Sequence, residues 1–113
     1  MTGPTAPAGP TGPSGPGSRS PLEDLTQDYR ATLLRFLPRR DEAARESAYE
    51  LGRRAFAAGI SLLDVCRMHQ ELALEVLVDT RPEEYVAVTD VAGELLLEML
   101  GAYDMTHRSV LGP

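Results

Sequence analysis

From Leu22 onward, apolar positions recur three and four residues apart, the spacing that lines up side chains along one face of an α-helix. Leu22, Leu25, Tyr29, Leu33 and Phe36 form the first such face. Ser20 stands before it as an N-cap, with Pro21 in the first helical position and Glu23 completing a capping box. Pro38 is expected to end this helix. A second helix is predicted from about Asp41 to Gly59, the glycine suiting the left-handed position past a helix end. The third opens at Ser61, backed by Asp64, and runs to about Thr80; the fourth starts near Thr80, with Pro82 and Glu83 in its first turn, and continues to about Val110. Nowhere do apolar and polar residues alternate as a half-buried strand requires. The expected fold is all-α, a four-helix bundle over residues 20–113.

The widths of the apolar faces differ. The second helix offers the small residues Ala44, Ala48, Gly52 and Ala55, beside Leu51, on one side. Glycine in a helix interior costs about 1 kcal/mol against alanine, so Gly52 implies a closely approaching backbone. The third helix is apolar over more than half its circumference, leaving a narrow polar strip of Asp64, Arg67, Glu71 and Glu75. The fourth is apolar over about half a turn, where an ordinary surface helix shows an arc of roughly 100°. That excess favours a homodimer formed through the last two helices, with Leu95, Leu96, Met99, Leu100 and Tyr103 as its candidate interface. A monomer whose fourth helix is covered by its own bundle is the alternative. The polar strip is a candidate partner surface, or else a solvated face.

Residues 1–19 are of another kind. Gly, Pro, Thr, Ser and Ala supply nearly all of them, Leu, Ile, Val and Phe are missing, and a disordered tail is expected. Three Gly-Pro-X triplets from Gly9 to Gly17 are too few for a collagen helix. The chain has 113 residues, 11 of them Arg and none Lys, 17 acidic residues and a net charge of −6. One domain fits this length. The acidic balance argues against a nucleic-acid surface, and no run approaches the roughly 18 apolar residues of a membrane span. The N-terminus lacks the basic start and apolar core of a secretory signal. With a single cysteine, Cys66, a reducing cytoplasm is the expected setting.

Candidate chemistry is thin. Cys66 and His69 lie one turn apart, which admits a small metal protein or a nucleophile–base pair. Zinc needs three or four protein ligands, and no second cluster supplies them, so no cofactor is expected. Cys66 sits among Leu and Val in the sequence, unlike a reactive thiol, and His69 is expected to be a hydrogen-bonded core histidine. His107, three residues after Asp104, suits a solvated or helix-terminal role. Carboxylates and arginines fall at ordinary helix-surface spacing, as in Glu50 with Arg54 and Arg67 with Glu71. Arg39, Arg40, Arg53 and Arg54 form a local basic patch. No phosphate-cradling or nucleophile-elbow motif is present. Nothing in the residues points to an enzyme.

Three short stretches carry a family likeness. They are Tyr49-Glu50-Leu51-Gly52-Arg53-Arg54-Ala55, the turn Ala58-Gly59-Ile60-Ser61-Leu62-Leu63-Asp64, and His69-Gln70-Glu71-Leu72-Ala73. Their order and spacing resemble the N-terminal domain of the phosphoserine phosphatase RsbU. Leu97-Glu98-Met99-Leu100, then Tyr103-Asp104-Met105-Thr106-His107-Arg108, is similar to the ending of that domain. The likeness spans roughly residues 22–111. It implies a dimeric four-helix bundle that binds the switch kinase RsbT and thereby activates a C-terminal metal-dependent phosphatase, which releases a stress sigma factor. The chain ends at Pro113, where family members continue into a linker and the phosphatase, so a stand-alone or truncated regulatory module is expected. A dimeric module with another partner, like the similar C-terminal bundle of the clock protein KaiA, is the alternative.

Overall fold

The computed structural model describes residues 19–111. The expectations for the Gly/Pro-rich tail fall almost wholly on residues 1–18, outside the described residues. Four α-helices follow: α1 (Pro21–Arg39), α2 (Glu42–Ala57), α3 (Leu62–Val78) and α4 (Tyr85–Leu111), with a single 3₁₀ turn at Pro82–Glu84 before the last. No strand occurs among the described residues.

The caps lie where the sequence placed them. The Ser20 hydroxyl accepts from the Glu23 N–H while the Glu23 carboxylate accepts from the Ser20 N–H, completing the capping box. Asp41 accepts from the Ala43 N–H and Ser61 from the Asp64 N–H. Past α2, Ile60 N–H donates to Ala55 O and Gly59 N–H to Phe56 O, a Schellman turn that needs the φ of 77° found at Gly59.

Two boundaries differ from expectation. Helix α1 passes through Pro38 and ends at Arg39, with Arg40 left-handed beyond it at φ 52°. Within a last turn the proline ring disturbs only the carbonyl of Leu34, and the Arg40 N–H closes the end on Phe36 O. At the other boundary, Thr80 closes α3 rather than opening α4: its hydroxyl donates to Val76 O and its N–H to Leu77 O. Pro82 therefore starts the 3₁₀ turn, and α4 begins at Tyr85.

The core forms where α1, α2 and α4 meet. Leu25, Tyr29, Leu33 and Phe36 come from α1, the three alanines and Leu51 from α2, and Leu95 and Met99 from α4. The α2–α4 contact is the most extensive and Gly52 lies in it: a Cβ there would stand 2.1 Å from the Met99 carbonyl oxygen and 3.0 Å from Ala102 Cβ. Helix α3 is attached more lightly, burying fully only Val65, Met68 and Leu72.

That division corrects two expectations. Leu95 and Met99 are completely buried within the chain's own core, so of the candidate interface only the half-buried Leu96, Leu100 and Tyr103 retain surface for a second copy. Cys66, expected among Leu and Val, is exposed, because Val65 and Met68 turn into the bundle while Cys66 lies on the outward side with Leu62 and Leu63.

Candidate functional site

Between α2 and α4, bordered by no residue of α3, lies an open groove of about 380 Å³. Tyr49 and Arg45 border it from α2; Leu97, Glu98, Gly101 and Met105 come from α4. The close approach at Gly52 sets how near the two helices stand, and Gly101 leaves the α4 side open, with no atom within 4 Å of where its Cβ would be. The Tyr49 hydroxyl points toward Met105 Sδ at 4.0 Å. Leu97 and Met105 are 69% and 59% exposed. Neither contributes to the core, so their apolar surface is free.

One end of the groove is electrostatically closed. Glu94 accepts from Arg45 at 3.3 Å and forms an ion pair with Arg40 at 3.0 Å, and the Arg45 guanidinium lies 5.0 Å from the centre of the Phe36 ring. Glu98, one turn on, has no ion-pair partner among the described residues. The site thus combines two apolar footholds, a tyrosine hydroxyl and one free carboxylate. That set can seat an apolar side chain with a cation beside it; it holds no nucleophile paired with a base.

The other sequence-selected residues are dispersed. Leu51 and Gly52 are core, and Arg53 is exposed beside Glu50 at 3.6 Å. Gly59, Ile60 and Ser61 build the turn into α3, where the Ile60 carbonyl accepts from the Tyr103 hydroxyl at 2.7 Å. The basic patch is largely tied down: Arg40 forms ion pairs with Glu94 and Asp90, and Arg54 reaches Asp28 rather than the expected Glu50. On the polar strip of α3, Glu75 is bound to Arg30 of α1 at 3.1 Å, while Asp64, Arg67 and Glu71 make no ion pair among the described residues. The expected Arg67–Glu71 pair does not form within the chain.

His69 is half-buried, and its Nδ1 lies 2.7 Å from the Tyr29 hydroxyl, joining α3 to α1. Burial pushes the Tyr29 phenol well above its ordinary range, so the hydroxyl stays protonated and donates to Nδ1. Desolvation also holds the imidazole below its ordinary pKa. Cys66, one turn away, is not joined to His69, and no group of three or more metal-ligating side chains is found among the described residues. No described helix is long and apolar enough to cross a membrane. The groove residues Leu97, Glu98 and Met105 had a signal: apolar Leu97 and Met105 stand on the polar side of α4, where core packing gives them no reason to be.

The fold and groove define a class, a small helical module whose distinctive chemistry lies at open surfaces. A family model, Phosphoserine phosphatase RsbU, N-terminal domain, matches residues 27–106, and the chain belongs to that family. The match is to the regulatory N-terminal domain and not to a phosphatase domain. No curated protein and no solved structure matches the chain.

Proposed function

We propose that the chain is a non-catalytic, cytoplasmic, self-associating binding module of a partner-switching stress pathway, and that it docks a switch kinase of the RsbT type in the α2–α4 groove. One observation carries the reading. Tyr49 from the first family stretch and Leu97, Glu98 and Met105 from the last are distant in sequence, yet they meet in one groove whose apolar residues the core does not use. Exposed apolar residues with a polar rim are the surface a protein partner covers. Leu97 and Met105 supply the buried contact, and Glu98 selects a basic residue on the kinase. A chain with this domain would compete with a full-length phosphatase for the kinase.

Titration calorimetry with an RsbT-type kinase tests this. Leu97→Arg combined with Met105→Glu is expected to leave the thermal midpoint nearly unchanged and to weaken binding at least tenfold. Unchanged affinity for the folded variant excludes the groove. If the native chain shows no kinase binding, affinity capture from the native cytoplasm identifies the different partner that a KaiA-like module would have.

A further inference from the structure

Helix α3 has three faces. Val65, Met68 and Leu72 point into the bundle, and Asp64, Arg67, Glu71 and Glu75 form the polar strip. Between them runs a third stripe that packing within the chain leaves largely open. Leu62, Leu63 and Leu74 are 46%, 64% and 54% exposed, Cys66 and Val78 are exposed, and Leu77 is half-buried. At its midpoint is one polar residue, the exposed Gln70.

The stripe is symmetric about that residue. Cys66 and Leu74 lie four positions to either side of Gln70, Leu63 and Leu77 seven, Leu62 and Val78 eight. Steps of three and four residues make it a coiled-coil seam. A seam that reads the same from both ends matches itself when a second copy runs antiparallel, as an isologous two-fold contact requires. A different protein would impose no such symmetry.

Resting on the self-association proposed above, we infer that α3 pairs antiparallel with α3 of a second copy, with Gln70 at the two-fold axis. Leu63 then faces the partner's Leu77, and Cys66 faces the partner's Leu74. The Gln70 amide carries both donor and acceptor, so two copies satisfy each other at the axis, and a polar residue there fixes the register. Charges agree with the same alignment. At 1.5 Å per residue, Arg67 comes within about 3 Å, along the axis, of the level of the partner's Glu71. Both lack an ion-pair partner among the described residues, and the two-fold gives each cation a carboxylate, twice. Cys66 and its counterpart stand about 12 Å apart along the axis, too far for the roughly 7 Å between Cα atoms that a disulfide allows.

Sedimentation equilibrium of the full chain tests the pairing, with circular dichroism confirming that every variant folds. Arg67→Glu alone and Glu71→Arg alone each place like charges opposite one another, and each is expected to weaken the dimer at least tenfold. Combined, they exchange the charges and should recover most of the lost affinity. Under mild oxidation, Gln70→Cys in a Cys66→Ser background should cross-link as a dimer, while native Cys66 should not. Single variants that dimerise normally, a double variant that recovers nothing, or a Cys66–Cys66 disulfide would each overturn the alignment. A stable dimer indifferent to these changes removes this surface but keeps self-association; a native chain that stays monomeric at high micromolar concentration removes both.

Discussion

At the scale of single residues, Gly52 shows tertiary packing overruling intrinsic preference. Replacing a mid-helix glycine by alanine ordinarily gains about 1 kcal/mol. Here the added methyl group meets backbone, the Met99 carbonyl, which no rotamer change can move aside. Forced overpacking costs about 1–3 kcal/mol and exceeds the gain as α2 and α4 separate. Gly52→Ala is therefore expected to lower the thermal midpoint by several degrees, as calorimetry would measure. The Tyr29–His69 bond gives a second residue-level effect. Protonating His69 requires Nδ1 to become a donor and strips the Tyr29 hydroxyl of its acceptor, so the folded state resists the charge more than the unfolded chain does. The imidazole's folded pKa lies below its unfolded value of about 6.5, so the unfolded chain binds more protons below that pH. The neutral form's stability is fully present above about pH 6.5 and is lost as pH falls through the folded pKa. His69→Gln should flatten the decline in midpoint between about pH 6.5 and 5; an unchanged slope would show that other groups cause it.

Among the elements, α3 is the weakest member, since only Val65, Met68 and Leu72 anchor it fully. Regions with few buried contacts open before the whole fold does. Hydrogen exchange of the dilute chain should show α3 amides less protected than those of α2 and α4, and Ser61→Ala, which removes the N-cap of α3, should widen that gap at a cost of about 1 kcal/mol. Uniform protection across all four helices would contradict it. The contrast between caps and faces also explains what the sequence could reveal. Ser20, Asp41, Gly59 and Ser61 were readable because a cap depends on backbone groups a few residues away. The path of α1 through Pro38 and the retreat of α4 to Tyr85 were not, since each depends on how a neighbouring turn closes. The apolar arcs of α3 and α4 were legible as arcs. Which portion the chain itself covers was not, because periodicity gives directions around an axis and not the position of a neighbouring helix. For that reason Met99 read as a candidate for the interface and Cys66 as one residue among Leu and Val, whereas the structure buries Met99 and exposes Cys66. The groove was half legible: Tyr49, Leu97, Glu98 and Met105 lay within the family stretches, but only the fold brings Tyr49 to Met105.

For the whole molecule, interior and exterior apolar surfaces can be separated by experiment. Met99 is fully enclosed, and a charge there would be desolvated with no partner, so Met99→Glu is expected to unfold the chain rather than dissociate a dimer. Leu63 is 64% exposed in the single chain, so Leu63→Glu has no core to disrupt. If a second copy covers that surface, the native fold is coupled to protein concentration by mass action, since only folded chains pair. A tenfold rise in concentration then adds about 1.4 kcal/mol per dimer, half of it to each chain. At about 4–8 °C per kcal/mol for a domain of this size, the native midpoint should rise by roughly 3–6 °C per decade of concentration. The Leu63→Glu variant should stay folded, with a midpoint independent of concentration and equal to that of the native chain at high dilution. A native midpoint flat from low to high micromolar concentration would mean that folding and association are uncoupled. The exposed leucines of α3 would then serve a contact made only with a different protein.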